Sequence, residues 1–92
     1  MKPLELNVGG THTIMVSQKL LCSIKDSNLT KFFEDVPITS KKEKRQPIFI
    51  DRDGNAFQAM INYIRNNCIN LPHFDNSNDK QLFEDECYHW GI

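Results

Sequence analysis

The chain has 92 residues, enough for one domain and too few for two. With 39% hydrophobic residues, 25% charged residues and a formal net charge of −1, it has an ordinary globular composition. This balance gives no electrostatic reason to expect nucleic acid or a membrane surface as a partner. No apolar run approaches the roughly 20 residues that cross a bilayer, so we predict no direct membrane contact.

The cysteines are three in number and widely spaced, at Cys22, Cys68 and Cys87. An odd count without a Cys-x-x-Cys pair is typical of reduced, mostly buried thiols rather than of a disulfide framework. The first residues alternate polar and apolar side chains and lack the apolar core of a signal peptide. These features predict a cytoplasmic location.

A hairpin is predicted at the start of the chain. Leu4, Leu6 and Val8 alternate with polar residues, which indicates a half-buried strand. Gly9-Gly10 supplies a turn in which positive φ costs little, and Thr11–Val16 returns as a second strand.

Two short helices are predicted next. The first is indicated by apolar residues at helical spacing, namely Leu20, Leu21 and Ile24. The second can be capped by Asp26 or Ser27. Its expected buried face consists of Leu29, Phe32 and Phe33.

Between Glu34 and Gln46 the apolar pattern stops. The basic run Lys41–Arg45 falls within this stretch and predicts a solvated loop. A nuclear-import or nucleic-acid role is the competing interpretation of these five residues, and we favour the loop.

The clearest helix in the sequence follows a third strand, Ile48–Ile50. Asp53 is placed to cap the helix by accepting a backbone N–H from Asn55 or Ala56. Asn66-Asn67 is a plausible end, because asparagine tolerates the left-handed conformation. The apolar positions recur at i, i+3, i+4 and i+7 and form one inward stripe, at Phe57, Met60, Ile61 and Ile64.

The last third of the chain predicts an extended segment, a loop and a helix. Ile69–Pro72 is the extended segment, His73–Asp79 the polar loop and Lys80–Tyr88 the helix. The expected inward side chains of this helix are Leu82, Phe83 and Cys87, and Trp90 and Ile92 are expected to cover the end of the core. The order βαα-β-α-β-α predicts an α/β (α+β) fold, a small sheet with flanking helices, as one domain over residues 1–92.

Four ordered blocks resemble the BTB/POZ domain in its potassium-channel tetramerisation (T1) form, also found in the tetramerisation-domain adaptor proteins. Leu6–Gly10 is similar to the opening strand and turn of that family. Asp26–Leu29 with Phe33 is similar to its "D-S-x-L-x-x-x-F" block. Phe49–Phe57 matches "F-I-D-R-D-G-x-x-F".

The remaining matches lie in the second half of the chain. Ile61–Arg65 resembles "L-N-Y-L-R", with Leu71-Pro72 at the expected distance, and Glu86–Ile92 resembles the closing "E-A-x-Y-F-x-I". The chain departs from the family pattern where Thr13 replaces Phe, Lys25 replaces Pro and Asn67 replaces Gly. We expect Thr13 to leave a smaller side chain facing the core.

The resemblance implies a protein–protein interaction domain that forms a homo-oligomer, either a tetramer or a pentamer, and that is not an enzyme. It leaves open two kinds of parent protein, a voltage-gated potassium channel or an adaptor that docks a cullin scaffold of ubiquitin ligases. The "F-I-D-R-D-G" and "L-N-Y-L-R" blocks are more similar to the adaptor branch of the family than to the channel branch.

The candidate oligomer interface is the polar side of the longest predicted helix together with the residues that precede it. In a monomer this polar side is simply hydrated, whereas the resemblance implies that part of it meets a neighbouring subunit through amides and charges. Asp51 and Arg52 are expected near that contact, where a charged pair fixes orientation. The predicted interface residues are Asn7, Asp51, Arg52, Asp53, Asn55, Gln58, Asn62 and Arg65.

Metal, cofactor and catalytic readings are disfavoured. An EF-hand counted from Asp51 needs Gly at its sixth position and Glu at its twelfth, where this chain has Ala56 and Asn62. A structural zinc needs four closely spaced ligands, and Cys87 and His89 stand alone. Asn7–Gly10 lacks the Lys and further Gly of a phosphate loop. With no nucleophile motif in the sequence, we predict no metal, no cofactor and no catalytic residues.

Overall fold

The computed structural model describes residues 3–36 and 47–92, so the predicted solvated loop, including Lys41–Arg45, lies largely outside the described residues. The described part is a mixed α/β fold, as predicted. Its elements are the strands β1 (Leu4–Val8), β2 (His12–Val16) and β3 (Ile48–Ile50) and the helices α1 (Gln18–Leu21), α2 (Asn28–Phe33), α3 (Gly54–Arg65) and α4 (Ser77–Trp90).

The sheet has the order β2-β1-β3. Strand β1 pairs antiparallel with β2, with Leu6 opposite Ile14, and parallel with β3, with Leu6 opposite Ile48. The predicted hairpin is confirmed. Gly9 has φ +64°, and a Cβ there would come within 2.7 Å of the Arg52 carbonyl oxygen, so only glycine fits this turn.

Side-chain alternation along β2 contradicts one expectation. Thr13 is exposed rather than facing the core, because Ile14 and Val16 occupy the inward positions of this strand. Since successive residues of a strand point to opposite faces, the inward positions exclude Thr13. The departure from the family's Phe therefore lies on the outer face of the sheet.

The core lies between the inner face of the sheet and the helices, with α3 at its centre. The predicted stripe of α3 is confirmed, because Phe57, Met60, Ile61 and Ile64 are all buried. Trp90 is buried and the half-buried Ile92 packs against the same cluster, as predicted.

The helix caps follow the expected local chemistry. The Asp53 carboxylate accepts the Ala56 N–H at 2.8 Å, which confirms Asp53 as the N-cap of α3. Of the two residues proposed to cap α2, Ser27 is the cap, because its Oγ accepts the Thr30 N–H at 3.1 Å. Asn67 has φ +58° after the last turn of α3, in the left-handed conformation predicted for the end of this helix.

Two apolar side chains expected to be buried are exposed. Phe32 is 51% exposed, because Leu29 and Phe33 fill the inward face of the short helix α2. Leu82 is also exposed, because the neighbouring Phe83 takes the inward direction of α4. Adjacent helical residues point about 100° apart, so with Phe33 and Phe83 directed at the core, Phe32 and Leu82 lie at the edge of the inward face.

The segment between α3 and α4 also differs from expectation. Ile69–Pro72 is not a strand, and Ile69 and Leu71 are 73% and 70% exposed. An alternating apolar pattern forms a strand only where another strand supplies hydrogen bonds, and the three described strands pair among themselves. Helix α4 starts at Ser77 rather than Lys80, because Asn76 caps it by accepting the Asp79 N–H at 2.8 Å.

Candidate functional site

The polar side of α3 lies along the edge strand β2. Near the end of α3, the Arg65 guanidinium donates through Nη2 to the Met15 carbonyl oxygen at 3.1 Å. Near its start, His12 Nε2 and Asn55 Oδ1 are 3.0 Å apart. These two links between α3 and β2 hold polar side chains of the helix beside the sheet.

The His12 contact depends on a glycine. A Cβ on Gly54 would collide with the His12 ring, and Gly54 itself is buried. The His12 ring also lies beside Thr11, whose Oγ1 is 2.9 Å from Nδ1. If Nε2 donates to Asn55, Nδ1 accepts from the Thr11 hydroxyl, so the neutral ring satisfies both partners.

The middle of the polar side of α3 is connected by amides. Asn62 Oδ1 accepts from Gln58 Nε2 at 3.3 Å and from Arg65 Nη1 at 3.1 Å. Asn62 and Arg65 are exposed, and Gln58 is half-buried. These three predicted interface residues therefore form one connected polar row.

The outer face of the sheet, on the side opposite the core and α3, carries exposed apolar side chains. Asn7 lies in register between Thr13 of β2 and Phe49 of β3, and Glu5 is opposite Met15. Met15 is 50% exposed and Phe49 is 58% exposed. The open face is the name we give to two surfaces that approach each other at the edge strand β2, namely the outer sheet face with Asn7, Met15 and Phe49 and the polar side of α3 with Asn55, Gln58, Asn62 and Arg65.

Arg52 is turned toward α4. Its Nη2 and Nε atoms lie 3.0 and 3.1 Å from Glu86 Oε1, and Trp90 Nε1 donates to Glu86 Oε2 at 2.7 Å. The Glu86 residue is buried. The charge of Arg52 is thus engaged within the chain, so its predicted contact with another subunit would have to use the remaining exposed part of the side chain.

The other two predicted residues flank Arg52 between β3 and α3. Asp51 is exposed, and Asp53 is exposed while one of its oxygens caps α3. The structure thus places Asn55, Gln58, Asn62 and Arg65 together on α3, Asn7 apart from them on the outer face of the sheet, and Asp51, Arg52 and Asp53 on the loop before α3. Their interface roles stay predictions.

Sequence reasoning missed four residues that shape this region, His12, Met15, Phe49 and Glu86. Alternation along the strands indicated that Met15 and Phe49 share a face with Asn7, opposite the core. Glu86 lies three residues after Phe83 and four before Trp90, which indicated the inward face of α4. The pairing of His12 with Asn55, 43 positions apart, had no local signal.

The reactive side chains of the described part offer little chemistry. Among residues 3–36 and 47–92, no three His, Cys, Asp or Glu side chains come together as a metal site. Burial, aided by Cys68, Glu86 and Glu84, raises the pKa of the Cys87 thiol to about 11, which keeps it protonated at neutral pH. No helix in the described ranges is long and apolar enough to span a bilayer.

Comparison with known proteins assigns these features to one family. Residues 4–92 match the BTB/POZ domain family. The chain is also similar to BTB/POZ domain-containing protein KCTD21 of Mus musculus and of Homo sapiens, with 36% identity over 70 residues in each case. The aligned part is 76% of this chain and 26% of each relative, so the chain matches about a quarter of their length.

Proposed function

Because this chain belongs to the BTB/POZ domain family, a family of protein-interaction and oligomerisation domains, we propose that it binds copies of itself through the open face. The observation that carries the proposal is the pair of apolar side chains, Met15 and Phe49, left 50% and 58% exposed on the sheet. Met15 lies on the edge strand β2, whose backbone receives Arg65 of the hydrogen-bonded polar row, and Phe49 lies on β3 at the other edge of the sheet. This combination of apolar anchors and fixed polar partners suits a specific protein contact.

The energetics favour a contact that uses both parts of the open face. Covering a large apolar side chain contributes about 1.5–3 kcal/mol when burial is complete, so two half-exposed side chains supply only part of a stable interface. The amides of Gln58 and Asn62 add orientation, because an amide left unpaired in a buried interface costs free energy. A neighbouring subunit must therefore match both the sheet and the helix.

The expected assembly is a ring of four or five copies. A closed ring of this kind uses a head-to-tail contact, in which the open face of one copy meets a different surface of the next. Association of the folded form also supports a domain of this size, because a partner that binds only the folded state shifts the folding equilibrium.

The parent protein is proposed to be a cytoplasmic adaptor. Three free cysteines fit a reducing compartment. The similarity to KCTD21 covers the "F-I-D-R-D-G" region and supports an adaptor more than a channel. Docking of a cullin and assembly of a voltage-gated channel remain the alternative roles. A binding function of this kind requires no catalytic residue, and we propose none.

Self-association is tested by the solution mass of the purified chain at micromolar concentration, measured by sedimentation equilibrium. We expect four or five times the monomer mass. Asn62→Lys should weaken assembly by about tenfold or more, because an unpaired ammonium group would be buried in the contact. Gln81→Lys, at an exposed polar position of α4, is the matched control and should leave the mass unchanged.

A monomer at high concentration would contradict the proposal, as would equal effects of the two lysine substitutions. The adaptor role has its own test, a pull-down with a purified cullin. Failure of a well-assembled oligomer to retain the cullin would exclude that role and leave self-association standing.

A further inference from the structure

A second surface lies away from the polar row, between the α3–α4 loop and α4. It holds a groove of about 410 Å³, with Leu71, Phe74 and Phe83 among its apolar walls. Leu71 is 70% exposed at its rim. Phe74 packs against Phe83 with ring centroids 5.3 Å apart, which gives the groove a firm aromatic base.

A smaller pocket of about 180 Å³ adjoins the groove and shares Phe74 with it. Its apolar wall is completed by Ala56 and Leu82. Its polar wall consists of the carboxylates of Asp53 and Asp79 and of Asn55, which also belongs to the open face. Both carboxylates use one oxygen within the chain, since Asp53 Oδ2 accepts the Ala56 N–H and Asp79 Oδ2 accepts from Asn76 Nδ2. Each carboxylate has a second oxygen that can accept a further hydrogen bond.

The two pockets demand different chemistry from an occupant. An apolar pocket walled by two carboxylates fits the hydrocarbon stem and cationic end of a lysine or arginine. The larger groove fits a bulky apolar side chain. Because Phe74 lines both pockets, one short segment can place a cationic and an apolar side chain in them together.

Charge favours the same kind of occupant. Asp75 and Glu84 line the larger groove together with Lys80 and with His73, whose Nε2 lies 3.5 Å from Asp75 Oδ1. With Asp53 and Asp79, the two pockets carry four carboxylates against one ammonium group and the His73 imidazole. A basic segment is therefore attracted to this surface, whereas an acidic segment is repelled.

We propose that the groove and its adjoining pocket bind a short segment of a different protein in which a lysine or arginine lies close to a large apolar residue. This interaction goes beyond self-association, and its site shares Asn55 with the open face. It assigns the role of a docking surface to the α3–α4 connection, where the sequence indicated an extended segment at Ile69–Pro72 and a polar loop at His73–Asp79.

The binding test presents the immobilised full chain with a library of short random peptides displayed on phage. Enrichment of peptides with a basic residue near Leu, Phe or Trp is expected. An enriched peptide, added to the isotope-labelled chain, should shift the amide signals of Phe74, Leu82 and Phe83. Raising the salt concentration should weaken its binding.

Two matched pairs of variants locate the site. Leu71→Ser should weaken peptide binding about tenfold, because it removes an apolar contact. Tyr88→Ser changes an exposed apolar side chain elsewhere, on α4, and should leave peptide binding unchanged. Asp79→Asn keeps the shape of the side chain and should weaken binding about two- to fivefold, whereas Asp85→Asn should not.

Three results would overturn the proposal: enrichment of peptides without basic residues, signal shifts confined to other surfaces, or equal effects of the test and control variants. A fourth such result concerns hydrogen exchange measured without any peptide. It is protection of the groove amides in the assembled chain that disappears when the chain is diluted to monomers. That result would make a second copy of this chain the occupant.

Discussion

The guanidinium of Arg52 and the buried carboxylate of Glu86 join two blocks of sequence that lie 34 positions apart. The two carboxylate oxygens of Glu86 accept hydrogen bonds from three N–H groups, Nε and Nη2 of Arg52 and Nε1 of Trp90. The pair connects the loop that starts α3 to the last turns of α4. It therefore fixes the helix that carries the polar row relative to the helix that lines the groove.

Removing either partner of this pair should destabilise the fold by different amounts. Arg52→Met leaves a buried carboxylate without its cation and is expected to cost about 3–5 kcal/mol of unfolding free energy. Glu86→Gln should cost less, about 2–3 kcal/mol, because the Arg52 side chain is 33% exposed and can be hydrated. Urea denaturation followed by Trp90 fluorescence measures both values. Glu84→Gln, at an exposed position of the same helix, is the control. A larger loss of unfolding free energy for Glu86→Gln than for Arg52→Met would contradict this account.

A methyl group on Gly54 should destabilise the start of α3. Gly54→Ala places a Cβ against the His12 ring, and overpacking of this kind costs about 1–3 kcal/mol. The cost should largely disappear in a His12→Ala background, where alanine also favours the helix. Thermal unfolding of the four chains of this double-mutant cycle measures the coupling. Additive effects of the two substitutions would show that the ring and the glycine do not constrain each other.

Glycine at the end of α3 should stabilise the chain. Asn67 has φ +58°, and Asn67→Gly relieves the cost of that conformation, giving about 0.5–1 kcal/mol. The neighbouring Asn66 has φ −92°, so Asn66→Gly should instead destabilise the chain by adding flexibility to the unfolded state. Chemical denaturation compares the stability of the two variants. A gain in stability from both would contradict the assignment of the left-handed conformation to Asn67 alone of the two.

Alkaline pH should destabilise the fold through Cys87. The folded state holds the Cys87 pKa at about 11, above the ordinary thiol value of 9.0. Above pH 9 the unfolded chain therefore releases this proton more readily, and the free energy of unfolding should fall as pH rises toward 11. Chemical denaturation at several pH values from 8 to 11 should show that the free energy of unfolding falls less steeply for Cys87→Ala than for the wild type. A fall of equal steepness in wild type and variant would remove Cys87 as the cause.

Local sequence patterns were sufficient for the hairpin, for the existence of the helices and for several of their ends, but not for the start of α4 or the course of Ile69–Pro72. The apolar stripe of α3, the Asp53 cap, the Gly9-Gly10 turn and the end at Asn67 depend on neighbours within about one helical turn or one tight turn, so the residues themselves specify them. The same alternation and spacing placed Asn7, Asn55, Gln58, Asn62 and Arg65 away from the core.

Tertiary packing decided which surfaces these elements share. The Glu86–Arg52 pair, the contact of His12 with Gly54 and the unpaired course of Ile69–Pro72 depend on residues distant in sequence. A periodic pattern indicates whether a side chain points inward or outward. The space available on each side depends on the elements from other parts of the chain that pack there. For that reason the sequence alone predicted the polar row, whereas the open face and the groove beside α4 emerged only once the helices were packed on the sheet.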